Sequence, residues 1–273
     1  MTAMATETQG VVALEGREIG WRRLGSGPPV VVLNGYAATA ADWDPVFLDA
    51  LGAGFELVLP DHRGMGPSTW GSDGELSIGS MADDVLALAD ALELASFGLV
   101  GWSMGGFVAQ TVACRAPERI TALALLGTDA GGPTAVLAEP DVWSRLIDST
   151  GSDREQATRL LGVLFPPPLA TQLDDQVGEL VAQGRAALDH DVLRAQEAAM
   201  GAWHAIAQPP VPAGAPRTLV ACGELDEVIP AANAELIAQR WSAPDPLTYP
   251  GGGHAFMAQV PDELAARLIE HLS

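Results

Sequence analysis

Short, mostly apolar runs alternate with longer stretches in which apolar residues recur every three or four positions. Residues 29–33, 55–59, 97–100 and 120–126 are of the first kind. Strands buried on both faces of a parallel sheet read this way. Residues 78–94 are of the second kind, with Met81, Val85, Leu88 and Leu92 on one face of a predicted helix. Further helices are expected over 43–51 and 107–116. Upstream, 11–14 and 17–23 flank Glu15-Gly16 and predict a hairpin. The chain shows no internal repeat and no heptad pattern. Strand and helix alternate, which predicts an α/β class with a mostly parallel central sheet and helices on both faces.

The rhythm changes near residue 130. From there to 206 no segment reads as a strand. Residues 142–147, 154–164, 175–188 and 193–205 all carry helical patterns, and Pro166-Pro167-Pro168 is expected to interrupt them. Pro209-Pro210-Val211-Pro212 closes the stretch. The alternation then resumes with a strand over 217–222, a helix over 232–241, a strand over 247–249 and a helix over 261–272. The expected organisation is an α/β core from residues 1–129 and 207–273, with 130–206 inserted as a helical cap. Such a cap lies over the C-terminal edge of the sheet, where open α/β sheets bind ligands. A chain of 273 residues is long enough for one large domain carrying such an insertion.

Composition narrows the partners. The formal net charge is -21, from 14 Lys+Arg and 35 Asp+Glu. Nothing in this balance neutralises a run of phosphates, so neither nucleic acid nor an anionic membrane surface is expected as a partner. A small-molecule substrate is. All the Lys+Arg residues are arginine. The absence of lysine excludes a Schiff-base enzyme, a pyridoxal-phosphate enzyme, a Walker A loop and a Ser-Lys dyad. Abundant alanine and arginine without lysine fit a GC-rich bacterial genome. Cys114 and Cys222 sit in apolar segments and read as small buried hydrophobes, not as a disulfide framework or a zinc site. No metal or cofactor is expected. Residues 1–10 lack the basic start and apolar stretch of a signal peptide, and no apolar run approaches membrane-spanning length. The expectation is a soluble cytoplasmic protein. No long exposed apolar face marks an oligomeric state.

The chemistry concentrates at Gly101-Trp102-Ser103-Met104-Gly105. A G-x-S-x-G between a strand and a helix is a nucleophile elbow, in which a tight turn lifts the serine oxygen above the sheet. The flanking glycines let strand and helix approach closely. The helix start supplies N–H groups and a dipole end that favour a developing oxyanion. A serine hydroxyl needs a base and a group that orients that base. His254 follows Gly251-Gly252-Gly253 after the last predicted strand and is the candidate base. His62, His190, His204 and His271 lie in less suitable places. Asp226, after the strand ending at Cys222, is the candidate orienting acid. Asp129, at the end of an earlier strand, is its main rival, and Glu224 and Glu227 are others. The N–H groups of Met104 and of Tyr36, in the loop Asn34-Gly35-Tyr36, are the candidate oxyanion donors. Trp102, Leu161, Leu164, Phe165, Met200 and Trp203 are candidates for the substrate pocket, although packing alone accounts for each of them individually.

On these residues the chain resembles the α/β-hydrolase superfamily, in its broad group of capped esterases, lactonases, carbon–carbon bond hydrolases and cofactor-free perhydrolases. The resemblance also rests on Trp43, on Asp61-His62-Arg63-Gly64-Met65-Gly66-Pro67-Ser68 and on Gly223 through Pro230, and spans nearly everything outside the cap. It implies acyl transfer to water through Ser103, His254 and Asp226. It implies that His62 and Arg63 brace a loop and do not react. Dehalogenases and epoxide hydrolases of this type attack with aspartate at the elbow, so the serine here excludes an alkyl-enzyme route. Family members most often carry His-Gly where this chain has Asn34-Gly35. A perhydrolase or a carbon–carbon bond hydrolase would use the same triad. A binding protein that keeps the triad and hardly turns over is the reading from another class.

Overall fold

The two rhythms fold as one sheet with helices packed on either side. The computed structural model describes residues 7–71 and 75–273. The first six residues of the polar start therefore lie outside the described part. The strands are β1 (Thr8–Leu14), β2 (Arg17–Gly25), β3 (Pro29–Leu33), β4 (Glu56–Pro60), β5 (Phe97–Trp102), β6 (Ile120–Leu126), β7 (Thr218–Gly223) and β8 (Leu247–Tyr249). They lie in the order β1-β2-β4-β3-β5-β6-β7-β8. β2 runs antiparallel to β1 and to β4, and every other pairing is parallel. The expected hairpin forms with Leu14 opposite Arg17.

Period-two alternation sends successive strand residues to opposite faces. Val31, Leu33, Leu99, Leu123 and Leu125 pack on one face against α2 (Ile78–Ala91), α3 (Met104–Arg115) and α8 (Ala232–Trp241). Val30, Val32, Val100, Ala124 and Leu126 pack on the other against α1 (Pro45–Gly52) and α9 (Pro261–Leu272). Helix starts follow local chemistry. Asp44 accepts the Phe47 N–H at 2.9 Å and Pro45 occupies the first turn, so α1 starts at Pro45, two residues after the expected Trp43. Ser77 and Ser80 cap each other at the start of α2.

Four helices fill the stretch between β6 and β7: α4 (Pro140–Ile147), α5 (Asp153–Leu164), α6 (Pro167–Ala186) and α7 (His190–Ala205). α6 begins eight residues before the expected 175. Proline removes an N–H that a first helical turn does not use, so Pro167 and Pro168 start this helix where a break is expected. Cys222 is buried, Cys114 is partly so, and both are free thiols. Among the described residues no helix is long and apolar enough to cross a membrane.

A buried ion cluster ties α2 to the loop after β4. Asp84, on α2, accepts Arg63 Nε at 2.9 Å and Nη2 at 2.8 Å, and Arg17 donates to the same carboxylate. Arg63 is 3% and Asp84 4% exposed. Breaking a buried ion pair by removing one partner costs about 3–5 kcal/mol. Asp84→Ala is therefore expected to lower stability by about that amount in chemical denaturation. A loss below about 1 kcal/mol would show the cluster to be solvated.

Candidate active site

The elbow is built by close approach. A Cβ at Gly101 would enter the carbonyl oxygen of Gly105, and one at Gly105 would enter the carbonyls of Leu33 and Asn34. Ser103 itself sits at φ 55°, ψ −126°, a conformation that costs a non-glycine residue about 1–3 kcal/mol. It is held there by its N–H to the Leu126 carbonyl at 3.0 Å, and by Gly106 N–H and Thr128 Oγ1, each 2.8 Å from its carbonyl. The helix starts at Met104, three residues earlier than expected. Gly101 belongs to the strand and Gly105 to the helix pressed against it, although in sequence both look like loop.

The loops after β7 and β8 meet in the same way. A Cβ on Gly223 would strike the carbonyls of Gly252 and Gly253. This contact brings Asp226 and His254 together from 28 residues apart. His254 Nδ1 lies 2.8 Å from Asp226 Oδ2, and His254 Nε2 lies 2.9 Å from Ser103 Oγ. The other carboxylate oxygen, Asp226 Oδ1, accepts the N–H groups of Val228 at 2.9 Å and Ile229 at 2.8 Å. With Oδ1 so fixed, Oδ2 accepts a hydrogen bond from Nδ1–H, which leaves Nε2 free to accept from the serine hydroxyl. All three residues are buried: Ser103 is 7%, Asp226 5% and His254 2% exposed. Trp102 covers the imidazole, with ring centroids 5.3 Å apart and its Nε1 donating to the His254 carbonyl at 3.0 Å.

The rival acids are engaged elsewhere. Asp129 accepts His204 Nε2 at 3.0 Å and the Gly131 N–H at 2.7 Å, with Trp203 Nε1 at 3.4 Å. It thus ties α7 to the end of β6. Glu224 accepts the Gly251 N–H at 3.0 Å, and Glu227 faces Arg145 at 3.7 Å on the surface.

The loop after β3 carries Tyr36 to the nucleophile. A Cβ on Gly35 would lie 3.1 Å from Ser103 Cβ. Asn34 is fully buried and its side chain is spent on structure. Its Nδ2 donates to the Pro60 carbonyl at 3.0 Å, and its Oδ1 accepts Trp43 Nε1. Its carbonyl accepts His62 Nε2–H at 3.0 Å, and burial holds His62 below its ordinary pKa and hence neutral. The loop is braced as the resemblance implies, with Asn34 in place of the usual histidine. The Tyr36 hydroxyl points to the helices over the sheet and donates to Glu197 Oε1 at 2.7 Å. Burial first, and then Glu197, hold it protonated far above the ordinary tyrosine range.

The candidate pocket residues fall into two groups. Leu164 and Phe165 pack with Trp102, Ala255 and Phe256, and the Leu164 carbonyl accepts the Ala255 N–H at 3.2 Å beside His254. Met200 and Trp203 belong to the other cluster, where Trp203 stacks on Phe107 at 5.4 Å. Leu161 is buried within α5. Sequence reading missed Thr128, Gln196, Glu197 and Arg185. A polar residue outside any recognised motif carries no mark of which way it faces.

Asp61, at the end of β4, accepts the Ala40 N–H at 2.6 Å. Burial raises its pKa to about 6, against the lowering pull of that N–H. The folded state therefore holds the Asp61 proton more tightly than the unfolded chain does. Its stabilising contribution is full below about pH 4 and is lost as pH rises through about 6. At pH 8 the buried charge costs roughly 1–3 kcal/mol. Asp61→Asn keeps an acceptor for Ala40 and is expected to melt above wild type at pH 8, with the gain fading towards pH 4. Thermal unfolding across that range checks it, and a gain that does not depend on pH sinks it.

Comparison with known proteins agrees with this picture. The sequence profile of the alpha/beta hydrolase fold matches residues 28–259. The putative carbamate hydrolase RutD of Azorhizobium caulinodans is 27% identical over 87% of this chain and 88% of its own length. The RutD of Agrobacterium fabrum is 34% identical, but the match spans only 40% of this chain and 41% of that protein. In structure, a meta-cleavage product hydrolase from Pseudomonas fluorescens IP01 superposes with a TM-score of 0.81 over 96% of both chains, at 19% identity. At that identity the likeness is one of fold.

Proposed function

This chain belongs to the alpha/beta hydrolase fold family and is an enzyme of the hydrolase type, and from that premise we propose that it cleaves an ester, lactone or related carbonyl bond of a small, largely apolar metabolite through an acyl-enzyme on Ser103. One observation carries the reading: the buried relay Ser103 Oγ, His254, Asp226, with links of 2.9 and 2.8 Å. His254 Nε2 takes the hydroxyl proton as Oγ attacks the carbonyl, and then returns it to the leaving group. Water repeats the sequence on the acyl-enzyme. Asp226 holds the tautomer and stabilises the imidazolium. The N–H groups of Met104, at the start of α3, and of Tyr36, one residue beyond the glycine that abuts Ser103, receive the oxyanion. Residues 130–206 act as the cap over this site, borne on the core of residues 1–129 and 207–273. Trp102, Leu164 and Phe165 line the pocket beside His254, while Met200 and Trp203 mainly anchor the cap to Phe107.

An acyl-chain-length series of activated esters and lactones, run beside a fluorophosphonate probe, tests this. The expected result is saturable hydrolysis of at least one series and a single covalent adduct, mapped by mass spectrometry to Ser103. Labelling elsewhere, or hydrolysis without labelling, would refute it.

A further inference from the structure

Most polar groups around the nucleophile have partners, but two on the overlying helices do not. Arg185, in the last turn of α6, is 9% exposed, and its Nε and Nη1 have no hydrogen-bond partner. No ion pair engages it among the described residues. Burial presses its pKa down from the ordinary value, with only Tyr36 and Asp42 acting in its favour. Gln196, on α7, is 0% exposed. Its Oε1 accepts the Ala37 N–H at 3.0 Å, a bond that settles which end of the amide is oxygen. Its Nε2 is therefore a buried donor, and it too is unpartnered. The two side chains converge on one loop. Gln196 holds Ala37, Arg185 acts electrostatically on Tyr36, and Gly35 abuts Ser103.

A buried cation without a counter-charge is expensive, and so is an unsatisfied amide donor. Both costs vanish if an anion arrives with the substrate. We propose that Arg185 and Gln196 form a subsite for a carboxylate borne by the substrate, at the end remote from the scissile carbonyl. This rests on the reading of Ser103 as nucleophile. The unpartnered nitrogens, Arg185 Nε and Nη1 and Gln196 Nε2, give three donor atoms, and the guanidinium supplies the charge. The subsite has one positive charge, and Glu197, bonded to Tyr36 at 2.7 Å, sets a negative charge nearby. A singly charged carboxylate matches that balance, and a phosphate dianion does not. A chain of net charge -21 repels anions at long range. Binding an acidic substrate therefore needs a local, water-excluded cation. The substrate class is an ester or other carbonyl compound with an otherwise apolar body and one terminal carboxylate.

The test uses matched pairs: the mono-(para-nitrophenyl) esters of adipic and suberic acid against para-nitrophenyl hexanoate and octanoate. Wild type is expected to favour the acidic ester of at least one pair by about 100-fold in kcat/KM. In Arg185→Gln that ratio is expected to fall to near one, and Arg185→Lys is expected to restore part of it. The melting temperature of Arg185→Gln should not fall, because the substitution removes an uncompensated buried charge. Wild type that hydrolyses all four esters with no acidic preference overturns the subsite and leaves the hydrolase reading standing. A variant that loses activity on both members of a pair equally, with the ratio kept, shows a structural arginine and also overturns it. If wild type hydrolyses none of them, the hydrolase reading is what fails. Calorimetric binding of adipate and suberate to Ser103→Ala, with and without Arg185→Gln, then decides the subsite. Weakening of about 30-fold or more supports it, and equal affinities overturn it.

Discussion

Ser103→Ala is expected to lower kcat on an activated aryl ester by about 10⁵- to 10⁶-fold, with the melting temperature within about 2 °C of wild type. The two halves of this expectation have separate physical grounds. The structural work of residue 103 is done by its backbone. The N–H is bound to Leu126, and the carbonyl is bound by Gly106 and Thr128. Alanine keeps all three bonds and the same positive φ. The hydroxyl bonds to His254 Nε2 at 2.9 Å. Removing it takes away the proposed attacking atom and leaves the proposed base, acid and oxyanion donors in place. Those remnants still accelerate hydrolysis over water by about 10³- to 10⁴-fold in systems of this kind, so the loss is large but finite. Steady-state kinetics and differential scanning calorimetry on one preparation measure both halves. A folded Ser103→Ala enzyme that retained more than about a hundredth of wild-type kcat would remove the nucleophile from its assigned role.

The sequence revealed one kind of feature and concealed another. Elements whose identity is set by local rhythm were legible. The buried strands, the Met81–Val85–Leu88 face of α2 and the strand–turn–helix around Ser103 all form. Boundaries set by a single capping residue were less so. Asp44-Pro45 delays α1, and Pro167-Pro168 begin α6 where prolines suggest an interruption. His254 and Asp226 stand out in the sequence because glycines and strand ends place them. Their carboxylate rival Asp129 also ends a strand at the ligand edge of the sheet, and position in the sequence ranks it below Asp226. What separates the two acids is tertiary. The glycines of the β7 and β8 loops press Asp226 onto His254, whereas α7 delivers His204 and Trp203 to Asp129. Arg185 and Gln196 were illegible for a related reason. Both stand on helices of mixed polar and apolar sequence, and only the tertiary fold buries them.

The choice between the two acids yields the second large effect. Asp226→Asn is expected to cut kcat by about 10³- to 10⁴-fold at neutral pH, whereas Asp129→Asn is expected to cost less than about tenfold. The orientation of the introduced amide is dictated by its neighbours. Asp226 Oδ1 accepts two backbone N–H groups, from Val228 and Ile229. In the variant the amide oxygen must take that place, because an NH₂ group there would face two donors. The NH₂ is then turned towards His254 Nδ1. An N–H pointing at Nδ1 forces that nitrogen to accept, so the ring proton moves to Nε2. Nε2–H faces Ser103 Oγ and cannot receive the hydroxyl proton as the oxygen attacks. The triad keeps its shape and loses its base. Asp226→Ala is a poorer test, because it strands two buried N–H groups at about 1–3 kcal/mol each and disturbs the loop. Asp129→Asn retains an acceptor for the Gly131 N–H and changes only the hold on His204. A single set of pH-rate profiles on both variants separates the roles. If Asp226→Asn kept more than about a tenth of wild-type kcat while Asp129→Asn fell by orders of magnitude, the orienting acid would be Asp129, and His254 would have to leave its present partner to reach it.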